Sequence, residues 1–257
     1  MDNYEVFKKP TVFEVVFEIR FPQLFNIEQK ISEFQLEIMD DFPLSNQFYE
    51  QPFPIPQIGT PATPLSPIGN ITLNWQFQSP NQKTIIILKS NRLNIISKEY
   101  KSYNHPDYPK FRDVIKNIVS QFLTLVPVKK FERIGLRYID ICPLDQKTNE
   151  YFEKFYRPNF DINQFKVEDI IENLSFVRIK REPHNLLFKS GIRTDSKGIY
   201  IYFMDFDGYS LNIPSEKFLE VTDDLKRIIY QVYFDNITED FKNYMREDEK
   251  NDNCKKS

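Results

Sequence analysis

A chain of 257 residues with 40% hydrophobic and 28% charged side chains has the composition of a globular domain long enough to bury a real core. Its net charge of −3 argues against dedicated nucleic-acid binding, which rests on a basic excess, although a local basic patch is compatible with it. No apolar run approaches the roughly 20 residues that span a bilayer, and two cysteines far apart, Cys142 and Cys254, give neither a disulfide framework nor a metal set.

The opening residues MDNYEVFKKP lack the basic-then-apolar order of a leader, so a cytoplasmic location is the expectation. The first element is TVFEVVFEIRF, residues 11–21. Val15, Phe17, Ile19 and Phe21 alternate with Glu14, Val16, Glu18 and Arg20, the period of a half-buried strand. After Pro22 the period changes, and Ile27, Ile31, Phe34, Ile38 and Phe42 form one helical stripe, with Asn26 placed as its N-cap. Residues 43–70 lose all period and carry seven prolines, from Pro43 to Pro67. They are expected to form one long loop with no ladder of its own.

ITLNWQFQ, KTIIILKS and RLNIISKEY follow, separated by SPNQ and SN, which is the turn chemistry of a three-strand meander. YPKFRDVIKNIVSQFLTLV returns to helical spacing. KKFERIGLRYIDICPL opens a second series: a strand over 131–141, an irregular region with a short helix at VEDIIENL, and three further strands. The series closes on a helix starting at Ser215, with Phe218, Val221, Leu225, Ile228, Ile229 and Val232 on one side.

Both series run strand, helix, three strands, long helix, and their openings echo one another (FEVVFEIRFP against FERIGLRYIDICP). The predicted fold is therefore α+β: two pseudo-repeated units, 1–127 and 128–245, followed by a polar tail, 246–257. Helices are expected on one face of an antiparallel sheet.

PTVFEVVFEIRFP near the start, RIGLRYID at mid-chain and YFMDFDGY further on resemble a sporadically distributed family of uncharacterised bacterial proteins. The resemblance spans most of the chain and implies a bacterial cytoplasmic protein. It carries no catalytic residues to transfer. The patchy distribution it implies is that of mobile or defence-associated genes.

Alternation sets Arg133, Gly135 and Arg137 on one strand face, opposite Ile134, Leu136 and Tyr138. If the two opening strands lie side by side, Glu14, Glu18 and Arg20 meet these arginines as cross-strand ion pairs. The competing reading is an anion- or partner-binding face that Gly135 opens to close approach. Arg178 and Arg181, in the basic run RIKRE, join Arg20, Arg133 and Arg137 as candidate anion or partner contacts.

Asp205 and Asp207 share a strand face and have a spacing at which two carboxylates can hold one divalent cation, but Asp-Gly at a strand end is also simply a turn. His105 and His184 sit among turn residues as solvated loop histidines, with no metal-ligand spacing. There is no nucleophile elbow and no glycine-rich phosphate loop, so no cofactor is expected and the balance leans away from an enzyme. The leading expectation is an interaction or sensor protein that recognises a partner protein or a second copy of itself. A helix-grip module binding a small molecule or anion comes next, then a metal-dependent hydrolase acting on nucleotide or nucleic acid.

Overall fold

In the computed structural model, which describes residues 5–50, 72–158, 160–161, 164–194 and 198–247, every strand belongs to one antiparallel nine-stranded sheet. In chain order these are β1 (Val12–Arg20), β2 (Leu44–Glu50), β3 (Thr72–Gln78), β4 (Thr84–Lys89), β5 (Arg92–Ser97), β6 (Lys130–Pro143), β7 (Ser175–Arg181), β8 (His184–Thr194) and β9 (Tyr200–Pro214). Their order across the sheet is β2-β3-β4-β5-β1-β6-β9-β8-β7. The α-helices are α1 (Glu28–Ile38), α2 (Phe111–Leu125), α3 (Asn149–Phe155), α4 (Phe218–Asp235) and α5 (Glu239–Arg246).

The period-2 pattern forms the strands as expected. Val15, Phe17 and Ile19 of β1 are buried, with Ile86 and Leu88 of β4, Leu93 and Ile95 of β5, and Met204 and Phe206 of β9. The helices cover that face. Phe34 of α1 meets Phe77 of β3 edge-on at 5.7 Å, Phe122 of α2 packs on Phe21 at 5.1 Å, and Phe152 of α3 reaches Tyr202 of β9 at 4.9 Å. Large aromatic side chains bury much area each and prefer these tilted geometries, which is how 24 Phe and 14 Tyr fill the layer between sheet and helices.

Four expectations need correction. Residues 44–50, assigned to a proline-rich loop, form β2, paired with β3 from Leu44 opposite Gln78 to Glu50 opposite Thr72. It is an edge strand with only Phe48 even partly buried, so no burial alternation marks it in the sequence. The rest of that segment, 51–70, lies outside the described residues. The closing helix breaks at 236–238, where the Thr238 side chain accepts from Phe241 N and caps α5. VEDIIENL contributes a single 3-10 turn at Val167–Asp169, whereas α3 forms earlier, with Thr148 as its N-cap. Finally, α1 begins after Ile27 with no side-chain cap.

On the face away from the helices, Gly191 of β8 touches the loop before β7. A Cβ there would stand 2.0 Å from the Asn173 carbonyl oxygen, and backbone cannot yield as a flexible side chain does. Gly191→Ala is expected to lower stability by about 2 kcal/mol, read as a reduced midpoint in urea. An unchanged midpoint would show that the loop moves freely.

Candidate functional site

β1 and β6 lie side by side with Arg20 opposite Arg133, Glu18 opposite Gly135 and Val16 opposite Arg137. On the open face Arg133 lies along its own strand. Its Nη1 donates to Glu18 Oε1 at 2.5 Å, its Nη2 to Asp207 Oδ1 at 2.6 Å, and its guanidinium sits 5.0 Å from the Tyr209 ring. Gly135 makes room for that guanidinium: a Cβ would fall 2.1 Å from Nη1. The close approach expected of a ligand is made by Arg133 itself.

Arg137 holds Asp205 in a fork, Nε to Oδ1 at 2.7 Å and Nη2 to Oδ2 at 2.8 Å, with Lys189 Nζ 3.8 Å from the same carboxylate. Arg20 donates to Glu18 at 2.8 and 3.3 Å. The Asp205 and Asp207 carboxylates that the spacing offered to a cation are thus neutralised by guanidinium groups. Among the described residues no cluster of three His, Cys, Asp or Glu side chains is arranged to hold a metal.

Arg178 and Arg181 lie on the edge strand β7 and point to opposite sides. Arg178 is in register with Leu187 and Asp207 on the open face, and Arg181 with the buried His184. His184 is not a loop residue, because it begins β8 on the helix side and is 6% exposed. Its Nδ1 is 2.6 Å from Ser210 Oγ and its Nε2 is 3.6 Å from Asp224 Oδ2. The sequence of groups is that of a nucleophile relay, but Ser210 is fully buried, and a nucleophile must reach its substrate. His105 remains a loop residue, in ring contact with Tyr108.

The groups with the most perturbed environment are on the other face, beneath α4. Asp140 follows Leu136 and Tyr138 in phase on β6 and is 2% exposed. The register of β1 against β6 shifts between Val12 and Glu14, a bulge of the kind that re-aims the chain, and Thr11 arrives beside the carboxylate. Thr11 Oγ1 donates to Asp140 Oδ1 at 2.8 Å. Its single proton being so used, the Tyr233 hydroxyl, also 2.8 Å away, is the donor to Thr11.

Lys226 of α4 places its ammonium 4.0 Å from the centroid of the Tyr138 ring, a cation–π geometry. Burial raises the Asp140 carboxyl from 3.8 to about 6, against the Thr11 hydrogen bond and the Lys226 charge. Burial lowers Lys226 from 10.5 to about 8, with the Asp140 charge opposing. Desolvation disfavours whichever form is charged, so the two shifts run in opposite directions.

No protein-family model and no curated protein matches this chain.

These groups line a cavity of about 80 Å³ between the sheet, α4 and the segment 5–12, with Ile229, Phe234 and Met245 supplying apolar wall. Two contacts hold the walls. Arg112 of α2 forks onto Asp223 of α4 at 2.7 and 2.8 Å, joined by the Tyr103 hydroxyl at 2.7 Å. Arg246 of α5 forks onto Glu5 at 2.7 and 2.9 Å. The sequence reading missed Asp140, Lys226, Thr11 and Tyr233. The available signal was the parity of Asp140, a carboxylate in step with the core residues Leu136 and Tyr138.

Proposed function

We propose that this protein is a small-ligand-binding module of sensor type, in which α4 closes over the sheet of an α+β scaffold built from two related units joined at β1 and β6. The observation that carries the reading is Asp140: a buried carboxylate, hydrogen-bonded by Thr11, that lines a cavity together with the Lys226 ammonium. Perturbed carboxylates in clefts mark binding or catalytic sites.

The cavity is large enough for several waters or for the polar end of a small molecule. The ligand that fits presents a hydrogen-bond donor to the Asp140 carboxylate and an apolar part to Ile229 and Phe234.

A second reading, recognition of a partner protein, draws on edge strand β7, which leaves Phe176 70% exposed beside Arg178 and Lys180. One experiment separates the two. Native mass spectrometry of protein purified from its own host is expected to show a small-molecule adduct that Asp140→Asn loses. Recovery of a bound polypeptide, retained in the Asp140→Asn protein, would replace the first reading with the second.

A further inference from the structure

The cations of the open face form a row. Lys89 of β4 stands opposite Arg92 of β5, Arg92 opposite Arg20 of β1, and Arg20 opposite Arg133 of β6. Like charges directly opposite on neighbouring strands destabilise a sheet, and three of the four are relieved by carboxylates. Lys89 pairs with Glu50, Arg20 shares Glu18 with Arg133, and Arg133 also holds Asp207. Arg92 makes no direct ion pair among the described residues, feeling the Glu50 carboxylate only through space, and its buried Nε has no hydrogen-bond partner.

The chain as a whole is acidic, at −3, so this row is not the local expression of a basic protein. A guanidinium without a direct ion pair, set between two other cations with Arg20 half exposed beside it, is a place where an oxyanion finds a donor that no carboxylate has taken.

We propose that Arg92, flanked by Lys89 and Arg20, binds a phosphoryl group, either inorganic phosphate or the phosphate of a small metabolite. The guanidinium fork matches two phosphate oxygens, and the neighbouring ammonium and guanidinium act as further donors. The site is separate from the Asp140 cavity, which lies across the sheet, and does not depend on it.

The test is calorimetric titration of the full chain with inorganic phosphate, pyrophosphate and adenosine monophosphate, each at constant ionic strength set with potassium chloride. Saturable binding of one equivalent is expected, weakened about tenfold or more in Arg92→Gln and unchanged in Lys116→Gln on the exposed side of α2. Binding of all three ligands marks a site for the phosphoryl group alone. Binding of the monophosphate ester and not of inorganic phosphate places the site on a phosphorylated metabolite. Should Arg92→Gln fail to fold, Arg20→Gln carries the same expectation at a more exposed position. Absence of saturable binding by all three ligands, or equal affinity in wild type and the folded variant, overturns the proposal.

Discussion

Asp140→Asn is expected to remove a pH-dependent loss of stability that the wild-type chain shows between about pH 4 and pH 6.5. Burial raises the folded carboxyl from 3.8 to about 6, so across that window the folded state holds a proton that the unfolded chain releases. The contribution of this group is therefore greatest at acid pH. It falls as the pH rises through the folded value, then stays level. A displacement of this size amounts to about 3 kcal/mol when complete.

Paired carboxylates elsewhere have the opposite slope, so the observable is the difference between wild-type and variant urea-unfolding curves at pH 4.5 and 7. Lys226 acts in the other window. Its folded value of about 8 against 10.5 means that the unfolded chain binds the extra proton, and stability recovers as the pH rises above about 8. Parallel wild-type and Asp140→Asn profiles from pH 4.5 to 7 would place Asp140 in contact with bulk water and remove the basis for the ligand reading.

The second large effect is expected on the open face. Arg133→Met leaves Asp207 without its guanidinium and Glu18 with Arg20 alone, both on a partly buried surface. Removing one partner of a buried pair is destabilising because the remaining charge stays desolvated. Partial exposure here screens some of that, and about 2–3 kcal/mol is expected.

Gly135→Ala reaches the same endpoint by another route, since its methyl group occupies the place of Arg133 Nη1. The two losses should therefore be non-additive, with the double variant close to the worse single one, because residues in one network couple. Full additivity in urea denaturation would show that Gly135 and Arg133 act independently.

Much of the fold was legible because burial writes a period into the chain. β1, β3, β4, β5 and β6 follow the alternation of Val15–Phe17–Ile19 or Ile86–Leu88, and α2 follows the stripe Phe111, Ile115, Ile118, Val119, Phe122. The adjacency of Glu18 to the Arg133 strand was likewise inferable from charge on facing positions. β2 was not legible, because an exposed edge strand buries no alternate residue. The break between α4 and α5 was hidden because apolar spacing continues across it through Ile237 and Phe241. The Asp140 cavity was illegible for a different reason: Thr11, Asp140, Lys226 and Tyr233 come together only when a strand bulge and a helix far along the chain are superposed.

The adjacency of β1 and β6 also bears on how the molecule is made. A ribosome releasing the chain completes β1 to β5 while residues 130–143 are still within or behind the exit tunnel, so one long side of β1 has no neighbour during that interval. An unpaired strand flank is a template for mispairing between nascent chains, and closing it joins residues more than a hundred positions apart, a high-contact-order step that folds slowly. The alternating Glu14, Glu18 and Arg20 on that strand give it the charge that keeps such a flank from recruiting a copy of itself.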